Sequence, residues 1–452
     1  MAFEALLQEY EARRAKALAG GGEEKYAKRT AKGIWNARQR IDYLMDKGSF
    51  IESGLFGSSG VYAEQEDETQ TDGKLAGFGR INDRDVCLVV NDFTVKGAST
   101  SATNGKKIAH MKRAATERGM PLVLIGESTG ARLPDAMGSR GMGLLLGNDN
   151  TQFRRMREVP MAAAAFGPSF GSSTWLMCQS DFAVMHKSAI MAVSSPGLVS
   201  MALGEKVAAE DLGGWRLHAE TTGLIDQFAD TEEEVFDLIK KFLAYMPSHH
   251  KEAPPEVPVP AGSGADMAKV FDILPESRTQ VYDMKRVIKC IVDKDSLLEL
   301  KPRFGKSAVT GLARLGGKTV GIIANNPLHR GGALDADACR KIVDFIVLCD
   351  SFNIPFVMLV DTPGFQIGTE AERAGAPGKI MNFMNAMTLV TVPHLTVIVR
   401  KSYGRAYVCM GGGRHSDEVA AWPTAEISFM SPAFAPKIAH GVGAGDPGFD
   451  EA

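Results

Sequence analysis

The sequence predicts an α/β fold built from two tandem copies of one domain. Three observations lead there. The second half of the 452 residues repeats the first. Short apolar runs suited to buried strands alternate with helical stretches in both halves. A proline-rich segment lies between the copies.

A shift of 234 positions sets Gly77, Phe78, Gly79 and Arg80 over Gly311, Leu312, Ala313 and Arg314. It also sets Pro121 and Leu122 over Pro355 and Phe356, and Ser128, Thr129 and Gly130 over Thr362, Pro363 and Gly364. One position less aligns Val159 and Pro160 with Val392 and Pro393, and Phe170 and Gly171 with Tyr403 and Gly404. A period this long marks a duplicated domain rather than a solenoid repeat. A duplicated domain can offer two related pockets, one for each of two reactants.

In chain order, residues 4–19 and 24–46 read as helices broken by Gly20, Gly21 and Gly22, the second with an apolar face of Ile41, Leu44 and Met45. Residues 86–90 and 122–125 read as strands, and a helix near 104–118 between them makes a parallel crossover. Residues 161–165 and 183–185 continue the series, and the pattern returns at 320–324, 356–360 and 395–399. Residues 251–264 hold four prolines and then Gly262, Ser263 and Gly264, a surface linker. The predicted organisation is a first domain over 1–250, a linker over 251–264 and a second domain over 265–452.

The net charge of -3 gives no reason to expect nucleic acid or an anionic membrane as partner. Six scattered cysteines without a C-x-x-C argue against a zinc ribbon or a disulfide scaffold, so buried reduced thiols are expected. The acidic start lacks a signal peptide's pattern, and no apolar run reaches spanning length, which places the chain in the cytoplasm. Phosphate-loop, H-E-x-x-H and biotin-attachment motifs are missing, and no metal site is expected.

The chemistry is carried by small-residue turns after strands, in matched positions of both halves. Gly171 precedes a helix expected to start near Ser172, and Gly404 stands likewise before Arg405 and Ala406. Amides that open a helix lack intrahelical partners and lie at the positive end of its dipole. They can hold negative charge on oxygen, an oxyanion hole made of backbone. A glycine needed only for packing is the alternative for either turn alone; two equivalent turns favour the hole. Further donors are expected from Gly97 and Ala98 in the first half and from Gly331 and Gly332 in the second. Gly130 and Ala131, with Gly364 and Phe365, supply another pair of post-strand turns. Lys106 and Lys107 open the crossover helix and can meet phosphates, with a solvated surface as the alternative. Asp361 reads either as a catalytic carboxylate or as a loop residue bonded to nearby amides.

These residues resemble the carboxyltransferase (beta) subunits of biotin-dependent acyl-CoA carboxylases. The resemblance rests on Ala37 to Leu44, Asp72 and Gly73, Gly77 to Arg80, Asp92 to Val95, Asn353 to Val357, Asp361 to Phe365 and Trp422 to Ile427. It implies two crotonase-like domains of repeated β-β-α spiral units, the first for acyl-CoA and the second for biotin. It implies transfer of a carboxyl group from carboxybiotin to the α-carbon of a short or medium acyl-CoA. The biotin is carried by a partner, so a biotin carboxylase and a biotin carboxyl carrier are implied, as is a hexamer built of dimers.

Position by position, the amides of Gly171 and Ser172 match the family's enolate-stabilising pair, and those of Arg405 and Ala406 its biotin-side pair. Val408 falls where the family places an acyl-pocket residue. The chain departs from the pattern at Thr129, Ser172 and Arg405, and it ends before the family's usual length. A decarboxylase subunit running the reverse transfer, or a non-catalytic scaffold, are the other readings.

Overall fold

The structure, a computed structural model, describes residues 3–60, 63–146, 154–432, 434–443 and 445–448. It divides into two compact units between Glu252 and Ala253.

The first unit holds strands β1 (Ile51–Ser53), β2 (Lys74–Ile81), β3 (Arg84–Asn91), β4 (Leu122–Ser128), β5 (Met161–Phe170), β6 (Phe182–His186), β7 (Ile190–Ala192) and β8 (Gln227–Ala229). They form one sheet in the order β1-β2-β3-β4-β5-β6-β8, with β7 beside the end of β5. The β1-β2-β3 meander is antiparallel; from β3 onward every pairing is parallel. A parallel pairing needs a crossover. The helix Ala102–Arg118 provides it between β3 and β4, opened by the Ser101 and Asn104 capping box.

Ala162, Ala163, Ala164 and Ala165 in β5 are buried, as expected of a strand covered on both faces. Cys87, Val89, Leu122, Leu124, Met161 and Met111 pack in the adjoining core. Burying each such side chain stabilises by about 1.5–3 kcal/mol.

The second unit repeats the plan. Its strands are β9 (Leu298–Leu300), β10 (Ala308–Leu315), β11 (Lys318–Asn325), β12 (Phe356–Thr362), β13 (His394–Tyr403), β14 (Glu418–Ala421) and β15 (Glu426–Ser428). The order is β14-β13-β12-β11-β10-β9, with β15 beside the end of β13. The helix Ala336–Ser351 is the crossover. Both sheets shift register at the same place, between Gly126 and Ser128 in β4 and between Val360 and Thr362 in β12.

Three local expectations change. The helix expected over 24–46 is two, Glu23–Thr30 and Ala37–Leu44, because Asn36 caps the second through the Arg38 and Gln39 amides. Residues 251–264 are not wholly loose. The Val257 amide donates to Gly317 O at 3.0 Å, and Arg314 Nη1 to Pro255 O at 2.8 Å. Cys178 is exposed, whereas the other five cysteines are buried, and none of the six is in a disulfide. Among the described residues no helix is long and apolar enough to cross a membrane.

Candidate functional site

In each unit the glycine turns gather at the carboxyl ends of three neighbouring parallel strands, where open α/β sheets place ligands. In the first unit β5 runs unbroken to Phe170, Gly171 alone makes the turn, and the helix Ser172–Gln179 follows at once. Gly171 has φ 63° and ψ −121°, a conformation closed to side-chain-bearing residues except at a strain. The Ser172 amide is the first of the helix and so has no acceptor within it.

The loop after β4 lies against this turn. A Cβ on Gly171 would sit 3.7 Å from Gly130 Cα. The Gly130 amide donates to Ser128 Oγ at 3.2 Å. The loop after β3 is zipped to it: Thr100 N–H donates to Gly130 O and Arg132 N–H to Thr100 O, each at 2.8 Å. Ala131 pairs with Thr100 in the same bridge. Gly97, Gly130, Ala131, Gly171 and Ser172 are therefore brought together by contiguous loops.

Two expected contributors are placed differently. The Ala98 amide donates to Val95 O at 2.8 Å, so it closes a tight turn and is not available to a ligand. Its carbonyl accepts from Ser128 Oγ at 3.1 Å and Lys74 Nζ at 3.3 Å. Lys107 is buried, its Nζ donating to Thr71 O at 2.6 Å and Lys74 O at 2.9 Å. Burial pulls its pKa down to about 8. That ammonium holds backbone rather than a phosphate, while Lys106 next to it is exposed.

The frame beneath the loops is polar and tightly paired. Asp72, fully buried, takes Arg132 Nη1 at 2.6 Å and the Asn104 amide at 3.0 Å, and also binds Ser101. Glu127 at the end of β4 binds Arg40 at 2.6 Å and Arg29 at 2.8 Å, and Arg40 reaches Glu232 at 2.6 Å. These carboxylates anchor strand ends. The sequence reading gave them no anchoring role, although Arg40 standing beside the apolar Ile41 and Leu44 was the available signal.

The second unit repeats the geometry with other side chains. Leu334 N–H donates to Gly364 O at 3.0 Å and Gln366 N–H to Leu334 O at 2.8 Å, bridging Leu334 with Phe365. The Gly364 amide donates to Thr362 Oγ1 at 3.2 Å. The Gly332 amide closes a turn onto His329 O at 2.9 Å, which leaves Gly331, at φ 62°, as the candidate of that loop. Gly404 has φ 60° and opens the helix Gly404–Cys409. In it Arg405 is exposed, Ala406 buried and Val408 half-buried.

Asp361 is fully buried, bonded to Tyr282 Oη at 2.9 Å, Lys401 Nζ at 2.7 Å and the Lys401 amide at 3.2 Å. Of its two readings the structural one fits, since Asp361 anchors β12 as Glu127 anchors β4. Lys341 matches Lys107: its Nζ donates to Ala308 O at 2.8 Å and Phe304 O at 3.1 Å, and burial pulls its pKa down to about 7.

Both halves carry glycine turns at matched strand ends, each followed directly by a helix. The carboxyl transferase domain family matches residues 28–441, and the chain belongs to that family of enzymes. It is 34% identical over 449 residues to the propionyl-CoA carboxylase beta chain of Roseobacter denitrificans, covering 98% of this chain and 87% of that one. It is 35% identical over 429 residues to the methylmalonyl-CoA decarboxylase subunit alpha of Veillonella parvula, covering 94% and 84%.

Among solved structures, the transcarboxylase 12S hexamer with methylmalonyl-coenzyme A and methylmalonic acid bound superposes with a TM-score of 0.90 at 32% identity. It covers 97% of this chain and 86% of its own. Both units have the crotonase-like α/β fold of these carboxyltransferases.

Proposed function

We propose that this chain transfers a carboxyl group to the α-carbon of a short or medium acyl-CoA, the first unit holding the thioester and the second the biotin side. The observation that carries the reading is the matched pair of glycine turns, Gly171 and Gly404, each opening a helix at the end of the third parallel strand. A relative that is a propionyl-CoA carboxylase beta chain, and a neighbour bound to methylmalonyl-coenzyme A, support the substrate class.

In the first unit, the Gly171 and Ser172 amides face the thioester oxygen. They gain most when the α-proton leaves and the oxygen becomes an enolate, because fixed donors then meet full charge. Losing one such donor lowers the rate by about 10²–10³-fold. Gly97 and Gly130 allow the thioester's approach, and Thr129, whose Cγ2 would meet a Cβ on Gly97 at 2.6 Å, narrows that side. No side chain of this unit need act as the base.

The second unit suits a flat, uncharged urea ring. A Cβ on Gly331 or Gly364 would meet nothing within 4 Å, so both loops present open backbone. The Arg405 and Ala406 amides open the adjoining helix. Biotin, brought by a biotin carboxyl carrier that a biotin carboxylase loads, supplies the carboxyl group and accepts the proton. Assembly as a hexamer is supported by the transcarboxylase 12S neighbour.

The test is reconstitution: purified chain, loaded carrier and acetyl-, propionyl- or butyryl-CoA. Loss of the carrier's carboxyl group should depend on the acyl-CoA; loss independent of it would refute the reading. The Veillonella parvula decarboxylase relative favours a second reading, the same transfer run from a carboxylated acyl-CoA onto biotin. Carboxyl label fed as methylmalonyl-CoA and recovered on the carrier would measure that direction.

A further inference from the structure

We propose that the Ser172 hydroxyl is a third donor to the acyl oxygen and that Thr100 is the residue that positions it. This deepens the reading of the first unit as the acyl-CoA pocket and rests on it. Ser172 Oγ and Thr100 Oγ1 lie 2.5 Å apart. Each hydroxyl carries one proton. A single hydrogen bond between them uses one of the two, and among the described residues neither hydroxyl has another side-chain or main-chain partner. One proton is left over.

The location of the pair decides where that proton goes. Thr100 is 6% exposed, and its backbone is fixed on both sides by the bridge to Gly130 and Arg132. Ser172 is half-buried, the first residue of its helix, and carries the amide assigned to the acyl oxygen. With Thr100 donating to Ser172, the remaining proton sits on the hydroxyl beside the ligand. The chain of donors then runs from Thr100 to Ser172 to the oxygen, and it strengthens as charge develops there.

The second unit has no equivalent. The positions that match Thr100 and Ser172 are Leu334 and Arg405, which cannot form a hydroxyl pair. The feature thus belongs to one reactant only.

The experiment uses the full chain with whichever of acetyl-, propionyl- and butyryl-CoA turns over fastest, and the thioether analogue of that compound, which lacks the carbonyl oxygen. Ser172→Ala keeps the amide and should lower kcat/KM about tenfold, the size of one hydrogen bond to a developing charge. By calorimetry, it should weaken binding of the thioester and leave that of the thioether unchanged. Thr100→Val, nearly isosteric, should show a smaller loss of the same kind, and the double variant should lose no more than Ser172→Ala. An active wild type with unchanged kcat/KM and thioester preference in Ser172→Ala would overturn this inference alone. A wild type that neither turns over nor binds any of the thioesters would overturn the pocket reading and this inference with it.

Discussion

In the first unit Lys107 reaches the carbonyls of Thr71 and Lys74; 234 positions on, Lys341 reaches those of Phe304 and Ala308. Glu127 and Asp361 repeat as buried anchors of β4 and β12, each with two cations within 4.0 Å. The bridges Thr100 to Ala131 and Leu334 to Phe365 repeat as well. Beside these likenesses, the side chains that rim the strand ends diverge: Thr100 against Leu334, Thr129 against Pro363, Ser172 against Arg405. The two halves thus hold one backbone frame in common and present different side chains from it. In the proposed function, main-chain donors do the shared work and the rim tells the reactants apart.

The largest effect should come from removing a main-chain donor. Ser172→Pro takes away the amide at a helix position that tolerates proline. Turnover should fall by about 10²–10³-fold while the assembly state, read by light scattering, stays as in the wild type. Unchanged turnover would place the hole elsewhere. Next comes the frame: Glu127→Gln leaves the buried Arg40 one carboxylate short and should destabilise the chain by about 3 kcal/mol in denaturant unfolding. Asp361→Asn should do comparable damage to the second unit; a variant with no loss would break the equivalence of the two anchors.

The lysine sockets make a pH prediction. The folded pKa of Lys341, about 7, lies below its ordinary 10.5. Between those values the unfolded chain binds more protons, so stability should rise with pH across the window. Below pH 7 the ammonium is charged in both states and its burial penalty is fully present. Lys107, at about 8, and Lys74, at about 7, act in the same direction. Unfolding midpoints at pH 7 and pH 10 should therefore differ less in Lys341→Met than in the wild type. The smallest effect is expected from Arg405→Ala, which keeps its amide: KM for acyl-CoA should stay within about a factor of two. A large change would draw Arg405 into the acyl side.

The duplication, the crossover helices and the turns at Gly171 and Gly404 were legible because they rest on patterns a single chain displays: a repeat, apolar runs and glycines. The break at Asn36 was missed because residues 24–46 were read as one helix, although its apolar face of Ile41, Leu44 and Met45 lies wholly beyond the Asn36 cap. Lys107 was read outward because a lysine at a helix start usually is; its inward turn depends on two carbonyls that chain folding alone brings near. Ala98 and Gly332 were read as donors from their loop positions, but the tight turns that use their amides are visible only in the dihedral angles. Nothing local linked Thr100 to Ser172, which lie 72 residues apart.

The zipping of the post-strand loops by main-chain bonds, rather than by side chains, has a practical consequence. The Thr100 to Gly130 and Leu334 to Gly364 contacts are indifferent to which side chains they carry. Rim segments could be transplanted from one half into the other, or libraries built at Thr129, Ser172 and Val408, without rewriting the socket beneath. Acyl preference in this chain would then be a property that can be retuned by selection at a few codons.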